Sequence, residues 1–134
     1  MTYKISAILL FILYHYLNIQ IGKWNAAIVK KRKEKGNKKQ IEHGWWFLGY
    51  LIVCAPQYWL VNIWFALSLI PLHLSIFAVA YNKYSGISPF NLSLTTDAIT
   101  DQTLVKMGFT SLEWPCVIAE VVAGVLFVIS LISL

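Results

Sequence analysis

Between Gly44 and Asn82 the chain runs for 39 residues without an aspartate, glutamate, lysine or arginine. In soluble domains roughly a quarter of all residues are charged, so such a stretch belongs in hydrocarbon or deep inside a much larger core. A chain of 134 residues has no larger core to offer, and its overall make-up agrees. Hydrophobic residues reach 58%, charged residues only 13%, and mean hydropathy is +0.63. This excludes a disordered chain, a secreted disulfide scaffold and an ordinary cytosolic enzyme. Drawn as one helix, the charge-free stretch would be about 60 Å long, roughly twice the hydrocarbon thickness of a bilayer. A hairpin of two spans is therefore predicted, at about 44–59 and 63–81, with Leu60, Val61 and Asn62 near the turn. Pro56 and Pro71 would kink these helices, which membrane helices tolerate when neighbours satisfy the freed carbonyls.

Two further apolar segments, about 5–22 and 112–133, complete an all-α integral membrane bundle of four transmembrane helices in a single domain. Three spans plus a re-entrant segment is the competing arrangement. No small-residue cleavage site follows the first segment, so a removable signal peptide is not expected. The first helix is expected to continue through Ala26, Ala27, Ile28 and Val29 and to stop at Gly36-Asn37, a suitable C-cap pair. The polar stretch 83–111 opens with a loop, Ser85-Gly86-Ile87-Ser88-Pro89. A short amphipathic helix over 96–107 follows, with Thr96 as cap and Gly108 as stop. Thr110-Ser111-Leu112-Glu113 then fits a capping box for the last helix, with Pro115 in its first turns.

Charge is distributed unevenly. Of the 11 basic residues, eight fall in the segment 23–40: Lys23, Lys30, Lys31, Arg32, Lys33, Lys35, Lys38 and Lys39. Only Glu34 opposes them, so this arm carries +7 while the rest of the chain sums to −2. The positive-inside rule places the arm in the cytoplasm and both termini on the opposite side. Aromatic residues agree with this map. Trp24, Trp45, Trp46, Tyr81, Tyr84 and Trp114 fall at the cytoplasmic boundary, and Tyr3, Tyr58, Trp59 and Trp64 at the other. The short helix 96–107 then lies on the cytoplasmic side.

Three features can carry chemistry. The first is a polar layer within the spans. His15, His73 and Glu120 lie on three different helices at about 10–14 Å from the cytoplasmic ends, with Asn18 three residues beyond His15. Such residues are expensive in lipid and face a bundle interior. They can hold helices together by hydrogen bonds, relay a proton or bind a divalent metal. The second is His43 with Asp97 and Asp101, at the boundary. An aspartate pair at i and i+4 shares a helix face and, with a histidine, resembles a hydrolase metal site. Asp97 is equally a stabilising first-turn residue, and His43 an interfacial one. The third is the basic arm. Each of its cations contributes about 1 kcal/mol near an anionic leaflet, and clustered charge also suits other polyanions, nucleic acid included. Setting topology alone would explain it as well. Cys54 and Cys116 lie in apolar stretches without metal-type spacing. No nucleophile motif, phosphate-cradling glycine loop or paired-histidine metalloprotease motif is present.

Tyr14-His15-Tyr16, the basic segment, Ile41-Glu42-His43-Gly44-Trp45-Trp46, Ser88-Pro89-Phe90-Asn91 and Thr96-Asp97-Ala98-Ile99 together resemble small polytopic membrane proteins of Bacteroidota phages and mobile elements. The resemblance implies residence in a host inner membrane or a virion internal membrane, with the arm meeting capsid or genome. It implies no activity. Three functions stay open. One is a non-enzymatic membrane component that assembles with itself or a partner and contacts anionic lipid, protein or nucleic acid through its arm. Another is a holin-like pore whose polar layer lines an oligomeric channel. The third is a metal-dependent membrane hydrolase; the first needs no cofactor, whereas this one needs a divalent metal.

Overall fold

A computed structural model describes residues 2–36, 43–92 and 99–134, with side chains for 3–36, 48–92 and 101–134. Among the described residues six helices follow in order: α1 (Thr2–Glu34), α2 (His43–Cys54), α3 (Gln57–Leu60), α4 (Ile63–Tyr84), α5 (Ile99–Lys106) and α6 (Glu113–Ile132). No strand occurs among the described residues. Among the described residues three helices are long and apolar enough to cross a membrane: α1, α4 and α6.

The expected second span, 44–59, is broken. Proline at position 56 has no N–H to give to Ile52 and crowds the preceding turn. α2 therefore closes at Cys54, and a single turn, α3, restarts with the amides of Trp59 and Leu60 bonded to Pro56 O, each at 3.1 Å. Pro71, by contrast, sits inside an α4 that continues past it. Asn62 starts that helix from an extended conformation (φ −173°, ψ 176°), its Oδ1 accepting from Phe65 N at 2.9 Å. Its Nδ2 donates to Ser130 O at 3.1 Å, pinning the start of α4 to the end of α6.

α1 is unbroken for 33 residues because nothing before Gly36 stops it. Ala, Lys, Arg and Glu in its last turns are good helix formers, and Lys31, Arg32 and Lys33 suit the negative end of the helix dipole. The helix carries the basic arm out as expected and ends where Gly36 takes φ 71°. α5 ends as expected at Gly108 (φ 89°). Phe109 N bonds Leu104 O at 3.1 Å and Gly108 N bonds Val105 O at 2.9 Å, with Phe109 and Leu104 packed on one cluster. That is the Schellman pattern of a glycine C-cap. The expected capping box at 110–113 does not form. Leu112 is the N-cap; its own N–H bonds Phe90 O at 2.9 Å and its side chain is buried with Leu92 and Cys116. Anchoring Leu112 in that cluster decides where α6 begins, and Ser111 Oγ accepts only a 3.4 Å contact from Glu113 N.

α4 is the central post. α1 runs parallel to it: Phe11 meets Phe65, Asn18 meets His73, and Gly22 meets Ala80. α6 runs antiparallel, with Phe127 near Phe65 and Cys116 near Ser75. α2 also returns against α1 and α4, since Tyr50 stacks on His73 and Val53 O accepts from Tyr14. At Gly22 a Cβ would come within 2.7 Å of Ala80 Cβ and 3.0 Å of Tyr81 N, so only glycine lets these two helices approach this closely. The main core comprises Ala7, Tyr14, Tyr50, Cys54, Phe65, Leu69, Leu72 and Ala123.

Candidate functional site

The helix pairing that places Asn18 against His73 also decides how the polar residues sort. His73 and Ser75 are two positions apart on α4 and project to opposite sides of it. The three ionisable residues expected in one layer therefore lie at similar levels but in two separate sites.

On the α1–α2 side, Asn18 bridges two partners. Its Nδ2 donates to Tyr50 Oη at 3.2 Å, and its Oδ1 faces His73 Nδ1 at 2.6 Å. Tyr50 Oη spends its own proton on Leu69 O at 3.1 Å. The chain of donors then fixes the imidazole: Tyr50 accepts from the Asn18 amide, Asn18 Oδ1 accepts from His73, and the His73 proton sits on Nδ1. The ring is stacked between Tyr50, at 4.0 Å between centroids, and Phe77, at 5.1 Å. Asn18 and His73 are both buried.

On the α6 side, Ser75 Oγ donates to Glu120 Oε1 at 2.7 Å, and Glu120 Oε2 lies 3.9 Å from His15 Nε2. His15 Nδ1 sits 3.1 Å from Phe11 O, one turn back on its own helix, an acceptor that requires the proton on Nδ1. The side chains of His15 and Glu120 remain 37% and 42% exposed. At 3.9 Å the two groups do not form a direct hydrogen bond, and they form an ion pair only when the imidazole carries both protons.

The sequence did not single out Tyr50 or Ser75. A signal for Ser75 was present: Ser68, Ser75 and Asn82 recur at seven-residue intervals along α4, and all three are buried. Ser68 returns a hydrogen bond to the carbonyl three residues back and Ser75 Oγ lies 3.1 Å from Leu72 O, its one proton being given to Glu120, while Asn82 Nδ2 donates to Pro89 O and Asn91 O and folds the next loop over the end of α4. Tyr50 gave no comparable signal among the many aromatics of α2.

The arm leaves the bundle as helix. Lys30, Lys31, Arg32, Lys33 and Lys35 are all exposed, and they project around the whole circumference. Lys23, nearest the bundle, places Nζ 5.5 Å from the centroid of the Tyr84 ring. Lys38 and Lys39 lie outside the described residues. Of the boundary set, Asp101 is half-buried on α5, while Asp97 and the side chain of His43 lie outside the described residues. Among the described residues no three histidine, cysteine, aspartate or glutamate side chains come together as a metal-ligand group.

No protein-family model, curated protein or solved structure matches the chain.

Proposed function

We propose that the protein is a small, non-enzymatic, multi-pass membrane component that assembles with itself or a partner and presents a stiff basic arm to a polyanion. The observation that carries this reading is α1 itself. One uninterrupted helix runs from an apolar segment long enough to span a bilayer into an arm of exposed lysine and arginine. Whatever holds the first half in the membrane thereby holds the second half at its surface.

Four crossings fit the packing better than three. Neighbouring helices α1 and α4 are parallel, so the chain between them has to travel back through the same depth. Residues 43–60 run back beside them, and the 16 helical residues of α2 and α3 cover about 24 Å against a hydrocarbon core of about 30 Å. The positive-inside rule then puts the arm in the cytoplasm, with both termini opposite. A host inner membrane or a virion internal membrane suits this arrangement, as the resemblance to phage and mobile-element proteins implies.

Anionic lipid head groups, acidic protein and nucleic acid share the chemistry the arm would recognise. Native mass spectrometry from a mild detergent tests the reading. A homo-oligomer or hetero-complex that retains anionic lipid or another polyanion is expected. Replacing Lys30, Lys31, Lys33 and Lys35 by glutamine should release that polyanion, since each cation contributes about 1 kcal/mol near an anionic surface. A monomer that carries neither lipid nor partner contradicts it.

A further inference from the structure

We propose that the outer face shared by α1 and α6, centred on His15 and Glu120, is the contact surface for a second copy of this chain. The inference rests on the membrane reading above and names the surface through which assembly occurs.

Glu120 lies seven residues into α6 from Glu113, about 10 Å, and twelve before Ile132, about 18 Å. In a bilayer the pair would sit well inside the hydrocarbon, yet more than a third of each side chain is uncovered. Ionisable groups at such depth face protein or water, not acyl chains. Water is an improbable cover here because the flanks are aliphatic. On α1, Ile12 and Ile19 stand three residues before and four after His15. On α6, Val117 and Val128 stand three before and eight after Glu120. All four are exposed.

The face is self-complementary. A two-fold related copy brings a carboxylate to the imidazole and an imidazole to the carboxylate, as an isologous interface requires. Within one copy the Nε2–Oε2 separation of 3.9 Å leaves the direct hydrogen bond unmade, so each group still has something to gain across the interface. Gly124, one turn beyond Glu120 on the same face, provides the notch. A Cβ there would meet nothing within 4 Å, so a neighbouring helix can approach the backbone closely, as small residues allow in membranes. The β-branched neighbours are stiff at χ1 and lose little freedom on packing.

The test uses full-length protein, fluorescently labelled and reconstituted in phosphatidylcholine vesicles, with dimer fraction measured by single-molecule photobleaching as the protein is diluted in lipid. Wild type should be dimeric or larger. Gly124→Leu fills the notch without touching the bundle interior and should raise the dissociation constant about tenfold or more. His15→Ala should weaken association in the same direction. Val122→Leu, on the opposite flank of α6, should leave it unchanged. Independently, Gly124→Cys should form a cross-linked dimer with a short bis-maleimide, and Val122→Cys should not. If dimers persist unaltered in Gly124→Leu and cross-link only through Val122→Cys, the face is wrong while assembly stands. If wild type is monomeric in lipid but purifies with a different protein, the second copy is excluded and assembly with a partner stands. If it is monomeric and purifies alone, the assembly reading falls with the inference.

Discussion

On one side of α4, Asn18, Tyr50 and His73 close on one another: Asn18 bonds both partners, at 3.2 and 2.6 Å, the rings stack, and Asn18 and His73 are buried. On the other side, Glu120 meets Ser75 and His15 meets Phe11, and both keep more than a third of their side-chain surface open. Both sites use residue types that are costly in an apolar setting. The first recovers that cost within the chain and so explains how α1, α2 and α4 stay in register. The second leaves part of it unrecovered, which is why it points outward to another molecule. Two glycines repeat the contrast. Gly22 is sealed against Ala80 and the α4 backbone, whereas Gly124 faces open space.

If this division is right, substitutions on the closed side should disturb the monomer and those on the open side should not. The largest effect is expected at Gly22→Leu. A side chain whose Cβ alone lies 2.7 Å from Ala80 forces α1 and α4 apart, at about 3 kcal/mol or more, and detergent-titration unfolding should register it. Asn18→Leu should come next. It leaves the His73 Nδ1–H facing a methyl group, and its cost should be about 2 kcal/mol in the same assay. Asn25→Leu should go the other way. Asn25 is fully buried one turn beyond Gly22, and neither of its amide atoms has a hydrogen-bond partner among the described residues. Replacing it with an apolar side chain of similar size should stabilise the fold by about 1 kcal/mol. Gly124→Leu should change monomer stability least, within about 0.5 kcal/mol. A large destabilisation there would show that this face is sealed within the monomer, and the contrast between the two sides would be lost.

The helical character, the end of α1 at Gly36 and the stop of α5 at Gly108 were legible in the chain, because hydropathy and glycine at a C-cap act locally. The location of the polar residues along their helices was legible too, since depth follows from counting. Which of them meet was not. That depends on rotation about each helix axis, which Gly22 against Ala80 and Asn62 against Ser130 set through contacts distant in sequence. The break at Pro56 and the continuity through Pro71 show the same limit. Both prolines lack the same backbone donor, yet α2 ends before Pro56 and α4 continues through Pro71. At 110–113 the capping signal was present, but burial of Leu112 with Leu92 and Cys116 moved the helix start past it.

In the proposed arrangement the chain crosses a membrane with its basic arm on one face and the α3–α4 turn on the other. Single cysteines introduced by Lys33→Cys, Gly86→Cys, Trp59→Cys and Leu134→Cys can be labelled with a membrane-impermeant maleimide in sealed vesicles of known orientation. The native Cys54 and Cys116 are both buried, and the unsubstituted protein serves as their control. The account predicts that Lys33→Cys and Gly86→Cys react only from the cytoplasmic face, and Trp59→Cys and Leu134→Cys only from the other. Labelling of Trp59→Cys from the same face as Lys33→Cys, or of all four from both faces, would contradict it.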